Sequence, residues 1–84
     1  MSPKNYVLNL TQIFADVITE TNLDDISTGW GAPTAEQINA AIKAKNPDYN
    51  STYAGVSYIT KTAIVKPDGH YYLGDPIDLT FTVS

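Results

Sequence analysis

The most constraining feature of this chain is the alternation of its last eight residues. The apolar residues Ile77, Leu79, Phe81 and Val83 are interleaved with Asp78, Thr80, Thr82 and Ser84. Such alternation is typical of a β-strand that is buried on one face and solvated on the other. The apolar face of the sheet must be covered by another layer, and helices can supply it. The sequence therefore predicts an α+β fold.

Two segments have the apolar spacing of helices. The first carries apolar residues at i, i+3, i+4, i+7 and i+8, and predicts a helix over residues 10–20 with Asn9 as its N-cap. Its β-branched residues also suit a strand. The second predicts a helix over residues 35–45, because Thr34 and Gln37 match a capping box and Pro47 disfavours helix beyond Asn46.

The other elements are predicted to be strands. We expect a short edge strand within 21–28, strands at 56–60 and 62–66, and a strand at 70–73 that forms a hairpin with 62–66 through the turn Pro67-Asp68-Gly69. A bulge or kink is expected at Gly74-Asp75-Pro76. The predicted architecture is two helices packed on one face of a small antiparallel β-sheet. Its predicted core residues are Ile13, Phe14, Val17, Ile38, Ile42, Ile64, Leu79, Phe81 and Val83.

The length of 84 residues allows one small domain, which we assign to residues 9–84 after a lead-in or non-native start at 1–8. The absence of cysteine excludes disulfides and cysteine-based metal sites. Nine acidic residues against five lysines, with no arginine, give a net charge of −4 and argue against a nucleic-acid partner. No apolar run approaches the roughly 20 residues of a membrane helix, so direct membrane insertion of this segment is not expected.

The residue types needed for catalysis are scarce. The one histidine, His70, falls in or beside a predicted turn, where a solvated surface role is expected. Calcium deserves consideration because Asp68, Asp75 and Asp78 cluster in sequence and Asp24-Asp25 is a tandem pair. Their spacing does not fit an EF-hand, and turn formation or protection of an edge strand explains them better. We predict no enzyme activity, no metal and no cofactor.

The chain is rich in aromatic residues, with six tyrosines and one tryptophan. Aromatic side chains among Asn, Ser and Gly suit protein recognition. The candidate partner-binding residues are Trp30, Tyr49, Asn50 and Tyr53. The alternative is that these rings complete a thin core, an interpretation that we favour for Trp30 and for Tyr58 and weigh equally for Tyr49 and Tyr53.

Five stretches of the sequence form a recognisable series: ITETNL (18–23), PTAEQI (33–38), AAIKAKNP (40–47), ITKTAIV (59–65) and LTFTV (79–83). Through these stretches, roughly residues 10–83 resemble repeat domains of spiralin-like surface lipoproteins from Spiroplasma and Mycoplasma. Mature members of the family begin at a lipid-bearing cysteine. Because this chain has no cysteine, any anchor would belong to another part of its parent protein.

The resemblance implies a non-enzymatic surface module for adhesion or host interaction, on the extracellular face of the cell membrane as part of a lipid-anchored parent. Its partner would be a protein or a host surface. Two alternatives stay open: a structural component of a phage or other self-assembling particle, and a small secreted effector or inhibitor. An assembly protein should self-associate through its edge strands, whereas a binding module should present an exposed aromatic loop. The sequence leaves the oligomeric state undecided.

Overall fold

The computed structural model describes residues 11–59 and 62–84. The predicted lead-in at 1–8 and the Asn9 cap lie outside these residues. In chain order the elements are β1 (Gln12–Ile13), α1 (Phe14–Val17), β2 (Asn22–Ile26), α2 (Ala35–Lys45), a 3₁₀ turn (Ser51–Tyr53), β3 (Ala54–Ile59), β4 (Thr62–Pro67), β5 (Tyr72–Leu73) and β6 (Ile77–Val83).

The main sheet has four strands in the order β2-β6-β4-β3. The β3–β4 and β4–β6 pairs are antiparallel, whereas β2 runs parallel to β6. A separate pair of short strands, β1 and β5, is also parallel. A parallel pair needs a long connection, and the chain between β2 and β6 supplies one that contains α2 and the β3–β4 hairpin. The α+β prediction is confirmed, but the sheet is mixed rather than antiparallel.

The alternation in β6 separates the two faces of the sheet as predicted. Leu79 and Phe81 are buried, and Asp78, Thr80 and Thr82 are exposed. On the neighbouring strand β4, the register places Ala63 opposite Leu79 and Ile64 opposite Asp78. Ile64 therefore lies on the solvated face, where it is 43% exposed, and its prediction as a core residue is wrong.

Helix α2 is the element that the sequence predicts best. Its bounds, Ala35–Lys45, are those predicted. In its capping box the Thr34 N–H donates to Gln37 Oε1 at 2.8 Å, and the Gln37 N–H donates to Thr34 Oγ1 at 3.2 Å. Ile38 and Ile42 are completely buried, so this helix covers the apolar face of the sheet.

The predicted helix 10–20 is wrong, because only the single turn α1 forms. The reason is Asn46, a buried residue at the end of α2. Its Oδ1 accepts from the Thr19 and Glu20 N–H groups at 2.9 Å each, and its Nδ2 donates to the Glu20 carbonyl at 3.0 Å. A helix through residue 20 would have bonded those amides to its own preceding turn. The packing of two long helices on the sheet is therefore not confirmed, and Ile13 is 53% exposed instead of buried.

The chain after β4 turns as predicted but does not form the predicted hairpin. Asp68 Oδ1 accepts from the N–H groups of His70, Tyr71 and Tyr72 at 2.8, 2.9 and 3.0 Å. Gly69 provides the positive φ of 77° that this turn requires. The returning strand β5 pairs with β1 rather than β4, because both sides of β4 are already occupied by β3 and β6.

Candidate interaction surface

Trp30 is the most exposed large apolar residue of the described chain. It lies in the loop between β2 and α2, and 84% of its surface is accessible to solvent. The interpretation of Trp30 as part of a thin core is therefore wrong. Because removing an apolar ring from water is favourable, an indole this exposed is a candidate contact residue.

Hydrogen bonds from consecutive residues fix the loop that carries Trp30. The N–H groups of Thr28, Gly29 and Trp30 converge on the Ser84 carbonyl at 2.8, 3.0 and 3.3 Å. The Thr28 hydroxyl also donates to the Gly31 carbonyl at 2.5 Å. Through these bonds the loop is attached to the end of β6, and Trp30 projects from a fixed backbone.

The backbone of Trp30 is in a conformation that a bulky residue rarely adopts. Its φ is 75°, in the left-handed region. For a residue with a Cβ this conformation costs on the order of 1 kcal/mol. Exposure and backbone strain at one tryptophan both oppose stability, a combination that points to a role in function.

Tyr49 does not belong to this surface. It is completely buried, and its hydroxyl donates to Asn39 Oδ1 at 2.7 Å. Burial, with a smaller effect from Tyr72, raises the pKa of Tyr49 to about 12. The core interpretation of Tyr49 therefore holds, and its side chain is not available to a partner.

The two remaining candidates lie beside Tyr49, around the buried ring of Tyr72. Asn50 is exposed, but its Oδ1 accepts from the Thr52 N–H and its own N–H donates to the Tyr72 hydroxyl. The half-buried ring of Tyr53 lies 4.4 Å from that of Tyr71 and 5.7 Å from that of Tyr72, measured between centroids. Asn50 and Tyr53 therefore both make contacts within the protein.

The structure does not bring the four predicted residues together. Tyr53 is level with Asp68, whose N–H donates to its carbonyl, at one end of the β3–β4 hairpin. Trp30 is bonded to Ser84, beyond the other end of that hairpin. Measured along the strands, at about 3.3 Å per residue, Tyr53 and Trp30 are roughly 30 Å apart. Trp30 is therefore a separate site.

A second surface feature, the outer edge of β3, was not predicted. The strand Ala54–Ile59 carries no charged residue, and within the described chain no strand pairs with its outer side. Tyr58 is 39% exposed there and is not among the side chains packed against the core, so its interpretation as a core residue is wrong. The uncharged run in the sequence was the signal that could have identified this edge.

The described residues offer few groups for catalysis or metal binding. Among residues 11–59 and 62–84, no cluster of three or more His, Asp or Glu side chains could hold a metal ion. Asp68, considered above for calcium, uses Oδ1 to accept three backbone N–H groups.

A shallow depression of about 230 Å³ lies between α2 and Tyr49, but the Lys43 ammonium beside it is bonded to the Pro47 and Tyr49 carbonyls. In the part of the chain that the structure describes, no helix is long and apolar enough to span a bilayer.

Comparison with known proteins gives no relative from which a function could be transferred. The chain matches no protein-family model, no curated protein and no solved structure at a significant level.

Proposed function

We propose that this protein is a non-enzymatic interaction module that presents Trp30 to a protein partner. The observation that carries the proposal is the 84% exposure of this tryptophan on a loop fixed by the Ser84 carbonyl. Tryptophan is among the residues that most often dominate the binding energy of protein interfaces.

The geometry of the loop favours binding over a structural role. A loop whose backbone is already hydrogen-bonded loses little conformational entropy when a partner docks. The indole contributes little to the core because most of its surface is in solvent. Selection for stability alone would favour glycine at a position with a φ of 75°.

The proposed setting of this module is a cell surface. The resemblance to spiralin-like lipoproteins supports a place on the extracellular face of the cell membrane, within a lipid-anchored parent. In that setting the partner is a protein of the host-cell surface. The net charge of −4 and the absence of arginine favour such a partner over nucleic acid.

The variant Trp30→Gly tests the proposal. It removes the indole and relieves the positive φ, so we expect unchanged or raised thermal stability. If Trp30 is a hot spot worth about 2 kcal/mol, binding to immobilised host-cell surface proteins should weaken about 30-fold. Because the chain has one tryptophan, a blue shift of its fluorescence in the wild-type protein would report burial of Trp30 on binding.

The matched control is Ile64→Thr. Ile64 is 43% exposed on the solvated face of the sheet, so its substitution removes apolar surface elsewhere. Binding should be retained in this variant. Equal binding by wild type and Trp30→Gly, or equal losses in Trp30→Gly and Ile64→Thr, would contradict a specific role for Trp30.

One observation favours a second candidate, a component of a self-assembling particle. The uncharged outer edge of β3 is the kind of strand through which such a protein would associate.

A further inference from the structure

We propose that β3 pairs with β3 of a second copy of this chain, forming a two-fold symmetric antiparallel dimer. The pairing would join two four-stranded sheets into one continuous sheet. This inference is independent of the proposed role of Trp30, which lies beyond the end of β6 and takes no part in the β3 edge.

The hydrogen-bond pattern of the β3–β4 hairpin identifies the backbone groups that face outward. The Asp68 N–H donates to the Tyr53 carbonyl at 2.9 Å, in register with the Ala54–Pro67 pair. Since the bonded positions of an antiparallel pair alternate, Gly55 and Ser57 also bond to β4. The backbone groups of Ala54, Val56 and Tyr58 therefore point away from β4.

One of these outward groups is already used inside the chain. The Ala54 N–H donates to the Ser51 carbonyl at the end of the 3₁₀ turn. This leaves the N–H groups of Val56 and Tyr58 and the carbonyls of Ala54, Val56 and Tyr58 facing outward. A second β3 strand offers the same set of donors and acceptors.

A two-fold axis at Val56 matches these groups to their copies. Val56 then exchanges two hydrogen bonds with Val56 of the second copy, and each Tyr58 N–H donates to an Ala54 carbonyl across the axis. The dimer gains four hydrogen bonds and does not require the Ala54 N–H. Together with the uncharged sequence of β3, which lets two copies of the strand approach without charge repulsion, this fit favours a second copy as the occupant.

The side chains fit the same register. Tyr58 and Ala54 lie on the helix-covered face, since they oppose Ala63 and Pro67 of β4. Across the two-fold axis, the large half-exposed ring of Tyr58 meets the small Ala54 of the other copy. On the solvated face Gly55 meets Ser57, and no charged residue of β3 is brought against a like charge.

The first test is the mass of the full chain in solution, measured by sedimentation equilibrium for wild type, Val56→Pro and Val56→Ala. Both variants lose the valine side chain, but only proline removes the outward N–H. That N–H makes no bond to β4, so proline leaves the hairpin ladder intact. We expect wild type and Val56→Ala to have twice the mass of Val56→Pro. A monomeric wild type, or a dimeric Val56→Pro, would overturn the proposal.

The second test fixes the register and does not depend on the folding of the proline variant. In the proposed dimer Gly55 and Ser57 of different copies form non-hydrogen-bonded pairs, whose Cα atoms are about 4.5 Å apart, within disulfide range. Gly55 has open space where a Cβ would be added, and Ser57 is exposed, so cysteine fits at both positions.

Because the chain has no cysteine of its own, each engineered thiol can be followed alone. A mixture of Gly55→Cys and Ser57→Cys chains should form a disulfide-linked dimer under mild oxidation. Neither variant should do so by itself, because identical residues are roughly 8 Å apart across the axis. Cross-linking of Ser57→Cys alone, or no cross-linking in the mixture, would overturn the proposed pairing. Trp30→Gly should dimerise like wild type, which separates this test from that of the proposed function.

Discussion

The two edges of the main sheet differ in nearly every property that controls strand pairing. The β2 edge contains Asp24 and Asp25, and its register with β6 shifts between Asn22 and Asp25. Asp24 itself has a φ of 60°, so the strand is bent at a charged residue. The β3 edge is uncharged, and its register with β4 is continuous over six residue pairs.

The acidic residues of β2 are also occupied within the molecule. Asp24 forms an ion pair with Lys45 at the end of α2. Asp25 accepts from the hydroxyls of Thr82 and Ser84 at 2.9 and 2.5 Å. Charge and irregular backbone are the usual protection of a sheet edge. The predicted edge-protecting role of Asp24-Asp25 therefore agrees with the structure.

The two edges are therefore suited to different kinds of contact. The β2 edge leads directly into the loop that exposes the Trp30 side chain. The β3 edge exposes backbone N–H and carbonyl groups. A side-chain contact can recognise a foreign protein, whereas a backbone edge pairs most readily with another strand.

The largest expected effect comes from a core substitution in β6, the strand that joins the β2 edge to β4 and β3. Strand β6 pairs with β2 on one side and β4 on the other, and its Phe81 is 6% exposed. Phe81→Ala should cost about 3–5 kcal/mol, most of the roughly 5–10 kcal/mol expected for a small domain. Chemical denaturation measures this loss. The control Thr80→Ala, exposed on the same strand, should change stability by less than about 0.5 kcal/mol. An unchanged melting temperature for Phe81→Ala would show that the core is misassigned.

A smaller effect should distinguish the two edges. Asn46→Ala leaves the Thr19 and Glu20 N–H groups without their acceptor just before β2 begins. We expect a loss of about 2–3 kcal/mol in unfolding free energy. Hydrogen exchange should increase first in β2 and later in β3, because three of the four side-chain bonds of Asn46 go to Thr19 and Glu20, just before β2, and the fourth goes to Ile42 within α2.

Asn50→Ala is the matched control for that experiment. Asn50 is exposed and its side chain accepts a single N–H, from Thr52, so its loss should cost less than about 1 kcal/mol. Equal acceleration of exchange in β2 and β3 by Asn46→Ala would mean that the two edges unfold as one unit.

Local patterns predicted the parts of this fold that depend on neighbouring residues. The capping box of α2, the alternation in β6 and the edge position of β2 follow from short-range spacing. The helix predicted at 10–20 failed because its competitor, Asn46, lies more than twenty residues away in sequence. The prediction of Phe14 and Val17 as core residues is confirmed although most of that segment is not helical, whereas Ile13 of the same stripe is exposed.

The candidate site was predictable only in part, for a related reason. An aromatic residue in a polar loop can be exposed or can close the core, and the sequence alone does not separate the two. Tyr49 is buried because Asn39 and Tyr72 receive its hydroxyl and ring, whereas Trp30 is held outward by bonds to Ser84. Both outcomes depend on contacts that form only once the chain is folded.

The smallest expected effect concerns the turn at the start of the β3 edge. The Asp68 carboxylate accepts backbone N–H groups from Tyr72, His70 and Tyr71, and these bonds hold its pKa below the ordinary value of 3.8. A lowered pKa in the folded state means that this carboxylate stabilises the fold above its unfolded pKa. That contribution is lost as the pH falls through the lowered value.

The variant Asp68→Asn tests this dependence, because it keeps an acceptor oxygen but cannot ionise. Wild type should be the more stable protein near neutral pH, and the difference in melting temperature should shrink as the pH falls below about 4. Asp75→Asn removes the same charge from a nearby exposed position, so it corrects for the change in net charge. A difference that stays constant with pH would mean that the charge of Asp68 does not stabilise the turn. If the difference disappears in acid, and the Tyr71 and Tyr72 amides there lose protection relative to their intrinsic exchange rates, the Asp68 carboxylate stabilises the turn beside β3 in a pH-dependent way.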